Sequence, residues 1–173
     1  LAEIAEQHDL LVVDDAAHAV AAEWQGRRIG SFSPATVFSF YATKNLTTAE
    51  GGMITTDDDE YADEMRIWSL HGISRDAWKR YSSEGSWYYE VSAPCFKYNL
   101  TDLQAALGLH QLARLESMTQ RRAELAARYE AGLGDLPEIE LPAVREGVRH
   151  AWHLYPVRLR LEQLDIERAE FID

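Results

Sequence analysis

The chain has 173 residues, 46% hydrophobic and 27% charged, with a net charge of -12 and a single cysteine. That length supports a packed core, while the acidic balance argues against sequence-independent nucleic-acid binding, which needs a basic footprint. One cysteine rules out an internal disulfide, and no apolar run approaches the ~20 residues of a membrane span or marks a signal peptide, so the composition fits a cytoplasmic protein.

Residues 1–8 have helical periodicity, and residues 10–14 form an apolar run that ends in Asp14, Asp15, Ala16, Ala17 and His18. This pattern predicts a buried parallel strand opening into a loop. In open α/β sheets ligands gather at the carboxyl ends of strands, so Asp15 and His18 are candidates for a site. A carboxylate there can keep a pyridinium nitrogen protonated. Asp15 equally suits a turn or helix cap, and His18 among alanines suits a satisfied core histidine.

After a short hairpin around residues 24–30, the β-branched and aromatic run over residues 36–41 predicts a buried strand. It delivers Lys44 to the edge of a core, just before the Gly51-Gly52 turn and a strand over residues 52–56. Desolvation of an amine there leaves more of the neutral form that attacks a carbonyl, the requirement for a Schiff base.

The acid run Asp57-Asp58-Asp59-Glu60 opens a helix over residues 58–69, where negative charge complements the helix dipole. A long aromatic stretch follows from Trp78 to Tyr98, and its Trp87-Tyr88-Tyr89 cluster suits a sugar or base pocket or packing across a dimer. From Thr101 to Leu133 the spacing of Leu103, Ala106, Leu107, Leu109, Leu112 and Leu115 is helical. It predicts scaffold helices, the second bridging to a further domain, and Asn99 suits the N-cap. Residues 138–142 and 152–161 read as strands. Six histidines include no HExxH pair, and a strand-entry role for His150 and His153 outweighs a zinc site, so no metal is expected. The sequons at Asn45 and Asn99 read as false positives.

Three motifs stand in order: Val12-Val13-Asp14-Asp15-Ala16-Ala17-His18, then residues 38–53 around Lys44, then residues 96–108 beginning Phe96-Lys97-Tyr98-Asn99. Together with Leu70-His71-Gly72-Ile73, Asp76-Ala77-Trp78 and Ala151-Trp152-His153-Leu154-Tyr155, they resemble the DegT/DnrJ/EryC1/StrS family of sugar aminotransferases that use pyridoxal 5'-phosphate. The resemblance implies an α/β fold of the aspartate-aminotransferase type (fold type I), with a mostly parallel sheet in the large domain and part of an α+β small domain. Residues 1–133 would be the C-terminal part of the large domain with its bridging helices, and residues 134–173 the start of the small domain.

By the same resemblance, Lys44 attaches covalently to the cofactor and moves protons, and Asp15 pairs with the pyridine nitrogen. His18 stands beside the phenolic oxygen, Ser39 binds the phosphate, and Asn99 reaches the phosphate of the neighbouring subunit. The implied enzyme is a homodimer with shared active sites. It takes an amino group from an amino-acid donor, glutamate in the family, to a keto group of a nucleotide-linked sugar for cell-surface polysaccharide, lipopolysaccharide or antibiotic assembly. Lys79, Arg80 or Lys97 are candidate cations for the substrate diphosphate.

Two features bear on this assignment. Cys95 stands where the family usually has glycine, a change that matters if that position needs positive φ, and Lys44 argues against relatives that carry histidine there and dehydrate instead. Family members are about twice this length, so the chain reads as a fragment lacking part of the cofactor pocket. The rival readings are a pyridoxal-binding sensor without turnover and an inactive fragment.

Overall fold

The computed structural model describes residues 1–73 and 90–172. Asp76, Ala77, Trp78, Lys79, Arg80 and the cluster Trp87, Tyr88 and Tyr89 lie outside the described residues.

Helix α1 (Ala2–Gln7) leads into β1 (Val13–Asp15), followed by the hairpin strands β2 (Glu23–Trp24) and β3 (Arg27–Arg28), then β4 (Ala35–Ser39) and β5 (Gly52–Thr55). Helix α2 (Asp59–Ser69), the long α3 (Asp102–Leu133), short strands β6 (Ile139–Glu140), β7 (Val148–Arg149) and β8 (Arg158–Leu159), and α4 (Arg168–Ile172) complete the order.

The principal sheet has the order β1-β4-β5. β1 runs parallel to β4, with Asp15 opposite Val37, and β5 returns antiparallel with Gly52 opposite Ser39. The parallel pair has the expected direction, but residues at the first strand are not buried: Leu10, Leu11 and Val13 are exposed because β1 is an edge of this sheet. The central strand behaves as read, with Ala35, Thr36 and Phe38 buried. Phe38 and Phe40 join Ala16, Ala21, Leu46 and Leu115 in one core beneath the loops that follow β1 and β4.

The expectation of several helices after residue 101 is corrected to one continuous 32-residue helix. Its N-cap is Thr101, not Asn99: Thr101 Oγ1 accepts from Gln104 N–H, and the Gln104 side chain accepts from Thr101 N–H. Both caps suit the position, but only threonine has glutamine three residues on to close the box. Of the leucine stripe, only Leu115 is buried, while Leu103, Leu107, Leu109 and Leu112 are exposed. Helical spacing reports a shared face, and of that face only Leu115 joins the core around Phe38 and Phe40. The acid run behaves as read, since Asp58 caps α2 by accepting from Glu60 N–H and Tyr61 N–H.

Strand β7 joins the hairpin to make a sheet of order β3-β2-β7, and β6 pairs with β8. An ion network braces this second sheet against α3. Arg149 binds Glu116 and reaches Glu23 at 3.1 Å, while Arg28 donates to Glu116 at 3.3 Å. The hydrogen bond from Arg149, followed by that from Arg28, outweighs partial desolvation and holds the Glu116 carboxyl below its ordinary range.

Past α2 the chain reverses through His71 and Gly72, and Leu70 bridges Lys97 in antiparallel sense. Gly72 has φ +69°, and a Cβ there would lie 2.2 Å from the Ala93 carbonyl oxygen. Because the obstacle is backbone, Gly72→Ala is expected to lower stability by roughly 3 kcal/mol. A denaturation midpoint equal to that of the unsubstituted protein would refute this packing. Cys95, by contrast, does not have positive φ, so the substitution for glycine imposes no left-handed strain.

Candidate active site

Strand alternation separates the two adjacent acids that end β1. Asp14 accepts from the Ser33 hydroxyl, whereas Asp15 Oδ1 accepts from Ala17 N–H at 3.0 Å and its other oxygen has no donor among the described residues. The half-bonded carboxylate is thus Asp15, exposed at the carboxyl end of the sheet. Ser39 closes β4 beside it; its Oγ accepts a long 3.4 Å bond from Tyr41 N–H, which leaves the hydroxyl proton without an acceptor among the described residues.

Lys44 sits in the turn after β4, where its backbone N–H donates to Tyr41 O at 2.9 Å. The side chain is half-buried and makes no ion pair among the described residues. The loop is pinned on both flanks. Thr48 N–H returns to Phe40 O at 2.9 Å and Phe40 N–H donates to Gly51 O at 2.8 Å, while the Gln104 side chain reaches from α3 to Glu50 O at 2.8 Å. Gly51 is needed for this closure, since a Cβ would meet Thr48 Oγ1 at 2.4 Å and Leu100 Cδ1 at 2.9 Å.

A histidine that the sequence reading set aside completes the cluster. The His153 ring lies 4.3 Å, centroid to centroid, from that of His18, and His153 Nδ1 is 3.2 Å from Asn45 Oδ1. Desolvation, then the charges of His18, Lys44 and Arg122, hold His153 below the ordinary imidazole range. Asn45 is buried with its amide engaged on both sides, which agrees with reading its sequon as false. Asn45 and His153 both fall within the motifs that carry the family resemblance, Asn45 beside Lys44 and His153 in Ala151-Trp152-His153-Leu154-Tyr155, but neither was given a role in the site; a polar residue next to the lysine was the available signal.

Desolvation also lowers His150, so both imidazoles have folded values below 6.5. Above that value neither state takes up a proton; as pH falls through it the unfolded chain protonates first, and stability is lost until the folded values are passed. The thermal midpoint is therefore expected to fall between about pH 7.5 and 5 more steeply than in a His150→Gln/His153→Gln variant. Equal slopes would contradict the assignment.

Asn99 lies elsewhere. Lys97 donates to its Oδ1, its Nδ2 makes a long 3.4 Å bond to Leu100 O, and it lines a cleft of about 870 Å³ between β5, α2 and residues 96–100. None of Asp15, His18, Ser39 or Lys44 borders that cleft. Among the described residues no group of three or more His, Cys, Asp or Glu side chains could hold a metal, and no helix is long and apolar enough to cross a membrane.

The donor set suits pyridoxal phosphate: among the described residues it offers an amine without an ion pair, a carboxylate with an open oxygen, a hydroxyl proton without an acceptor and an imidazole, all carried by the β1 and β4 strand ends and the loops that leave them. The model of the DegT/DnrJ/EryC1/StrS aminotransferase family matches residues 1–173. The chain belongs to this family. It is 54% identical over 169 residues to the spore coat polysaccharide biosynthesis protein SpsC of Bacillus subtilis, covering 98% of this chain and 43% of SpsC.

Helicobacter pylori PseC, an aminotransferase involved in the biosynthesis of pseudoaminic acid, superposes with a TM-score of 0.82 at 31% identity over 92% of this chain and 41% of PseC. The PLP form of Spr1654 from Streptococcus pneumoniae, a candidate sugar aminotransferase, gives 0.77 at 39% identity over 87% of this chain and 38% of its own. Spr1654 also has a PMP form, and the DegT/DnrJ/EryC1/StrS family is pyridoxal-phosphate-dependent. The architecture is accordingly part of the α/β fold of type I aminotransferases. The chain spans less than half the length of these relatives.

Proposed function

We propose that the protein carrying this chain is a pyridoxal-phosphate-dependent aminotransferase that moves an amino group from glutamate to a keto group of a nucleotide-linked sugar. The observation that supports this reading is the parallel pairing of β1 and β4, which sends Asp15 and the loops bearing His18 and Lys44 out of the same end of the sheet, with His18 and Lys44 both acting on His153 and the amine unpaired among the described residues. Bound cofactor supplies an electron-withdrawing ring that stabilises a carbanion.

This chain's residues do the rest. Lys44 provides the amine that holds the cofactor carbonyl and the base that moves a proton at the substrate carbon. Asp15 keeps the ring nitrogen protonated through a charge-assisted bond, His18 orients the phenolic oxygen, and Ser39 donates to the phosphate. Asn99, apart from this cluster, serves the neighbouring subunit of a homodimer. We assign residues 1–133 to the large domain and 134–173 to the small domain, with the enzyme acting in the cytoplasm.

The test is turnover by the full-length protein with glutamate and a panel of nucleotide-linked keto sugars. Formation of 2-oxoglutarate together with an amino sugar is expected. Cofactor binding without a half-reaction from any amino donor would instead establish the sensor reading.

A further inference from the structure

The turn over residues 150–153 is held in an unfavourable shape by a bond within the turn and by bonds to Asn45. Trp152 has φ +48°, a left-handed backbone that is costly for a bulky side chain. On one side its N–H donates to His150 Nδ1 at 2.9 Å, and on the other the Ala151 carbonyl accepts from Asn45 Nδ2 at 2.6 Å. Asn45 is 4% exposed, so water does not compete for its amide.

A carbonyl oxygen only accepts, so the amide nitrogen of Asn45 must face Ala151 and the amide oxygen must face His153. That oxygen also only accepts, and it lies 3.2 Å from His153 Nδ1. Nδ1 therefore carries a proton in both charge states, and the ring titrates at Nε2.

We propose that Asn45 is a positioning residue that locks His153 into the Nδ1–H tautomer, presenting a bare Nε2 as an acceptor beside His18 and Lys44. The chain neighbour of the lysine thus controls an imidazole 108 positions away in sequence. The groups facing His153 are His18 from the loop after β1, Lys44 from the loop after β4 and Arg122 from α3, and all three oppose a second positive charge. With Asn45 uncharged, no negative group among the described residues offsets them, so His153 acts near neutral pH as an acceptor for an N–H or O–H group. In the aminotransferase reading, on which this role rests, that group belongs to substrate or to the Lys44 amine.

The test is nitrogen-15 NMR of the imidazoles in the full-length protein, with the His153 signals assigned through His153→Gln. At pH about 8 the unsubstituted protein is expected to show a protonated Nδ1 and a bare Nε2. Asn45→Asp places a carboxylate against the ring and is expected to raise the midpoint of the Nε2 titration by about one unit or more. Asn45→Leu removes the acceptor and is expected to release His153 into a tautomer mixture. An Nε2–H tautomer in the unsubstituted protein overturns the proposal whether or not either variant folds, and so does an unchanged midpoint in folded Asn45→Asp. The tautomer is read without substrate or turnover, so this outcome and that of the sugar assay are independent.

Discussion

Lys44→Ala is expected to abolish covalent attachment of pyridoxal phosphate. After incubation with the cofactor and borohydride reduction, peptide mapping of the unsubstituted full-length protein should place the added mass on Lys44 alone, and the variant should carry none. The expectation rests on a half-buried amine with no ion pair among the described residues, in a turn secured by Tyr41, Phe40 and Gly51. An amine already engaged by a carboxylate would have to break that bond before attacking a carbonyl; this one does not. Loss of the proton-transfer role alone should lower turnover roughly 10²–10⁴-fold. Full labelling of folded Lys44→Ala, or labelling spread over surface lysines, would refute the assignment.

Asp15→Asn should be nearly as damaging while leaving the fold intact. The amide can still accept from Ala17 N–H, so the local turn survives, but the negative charge that the proposed role sets against the ring nitrogen is lost. A neutral amide does not hold a pyridinium proton, and the expected fall in turnover is roughly 10²–10³-fold, the scale of losing one preorganised electrostatic contact. Asp14→Asn is the control, because Asp14 is occupied by Ser33. Equal losses in both variants, or a loss confined to Asp14→Asn, would show that the wrong acid was chosen. Cofactor absorbance in each variant separates weakened binding from weakened chemistry.

Much of this site was readable because its signals are local. A strand ends where its apolar run ends, so Asp15 could be placed at a strand terminus and Lys44 in the loop after one from their neighbours alone, and family resemblance supplied the roles expected of them. The cap at Thr101 was also available, since threonine followed three residues later by glutamine is a capping signature, yet Asn99 drew attention first. Burial was less legible. Leu10, Leu11 and the α3 leucines are apolar and correctly periodic, but period identifies a face without saying what covers it.

His153 shows the other limit. Its neighbours in sequence, Trp152 and Leu154, suggest a strand entry, whereas its physical neighbours are Asn45 and His18, supplied by loops more than a hundred residues earlier. By itself, the sequence determined the order of the strand-end motifs, the helical segments and the family, because each depends on residue types at short, regular spacing. Only the tertiary structure decided which imidazole meets the lysine loop, which oxygen of two adjacent acids stays open, and how the amide of Asn45 must point. Those outcomes depend on where long-range closure brings donors and acceptors together, and hydrogen bonding is directional enough that a single carbonyl, that of Ala151, settles the arrangement.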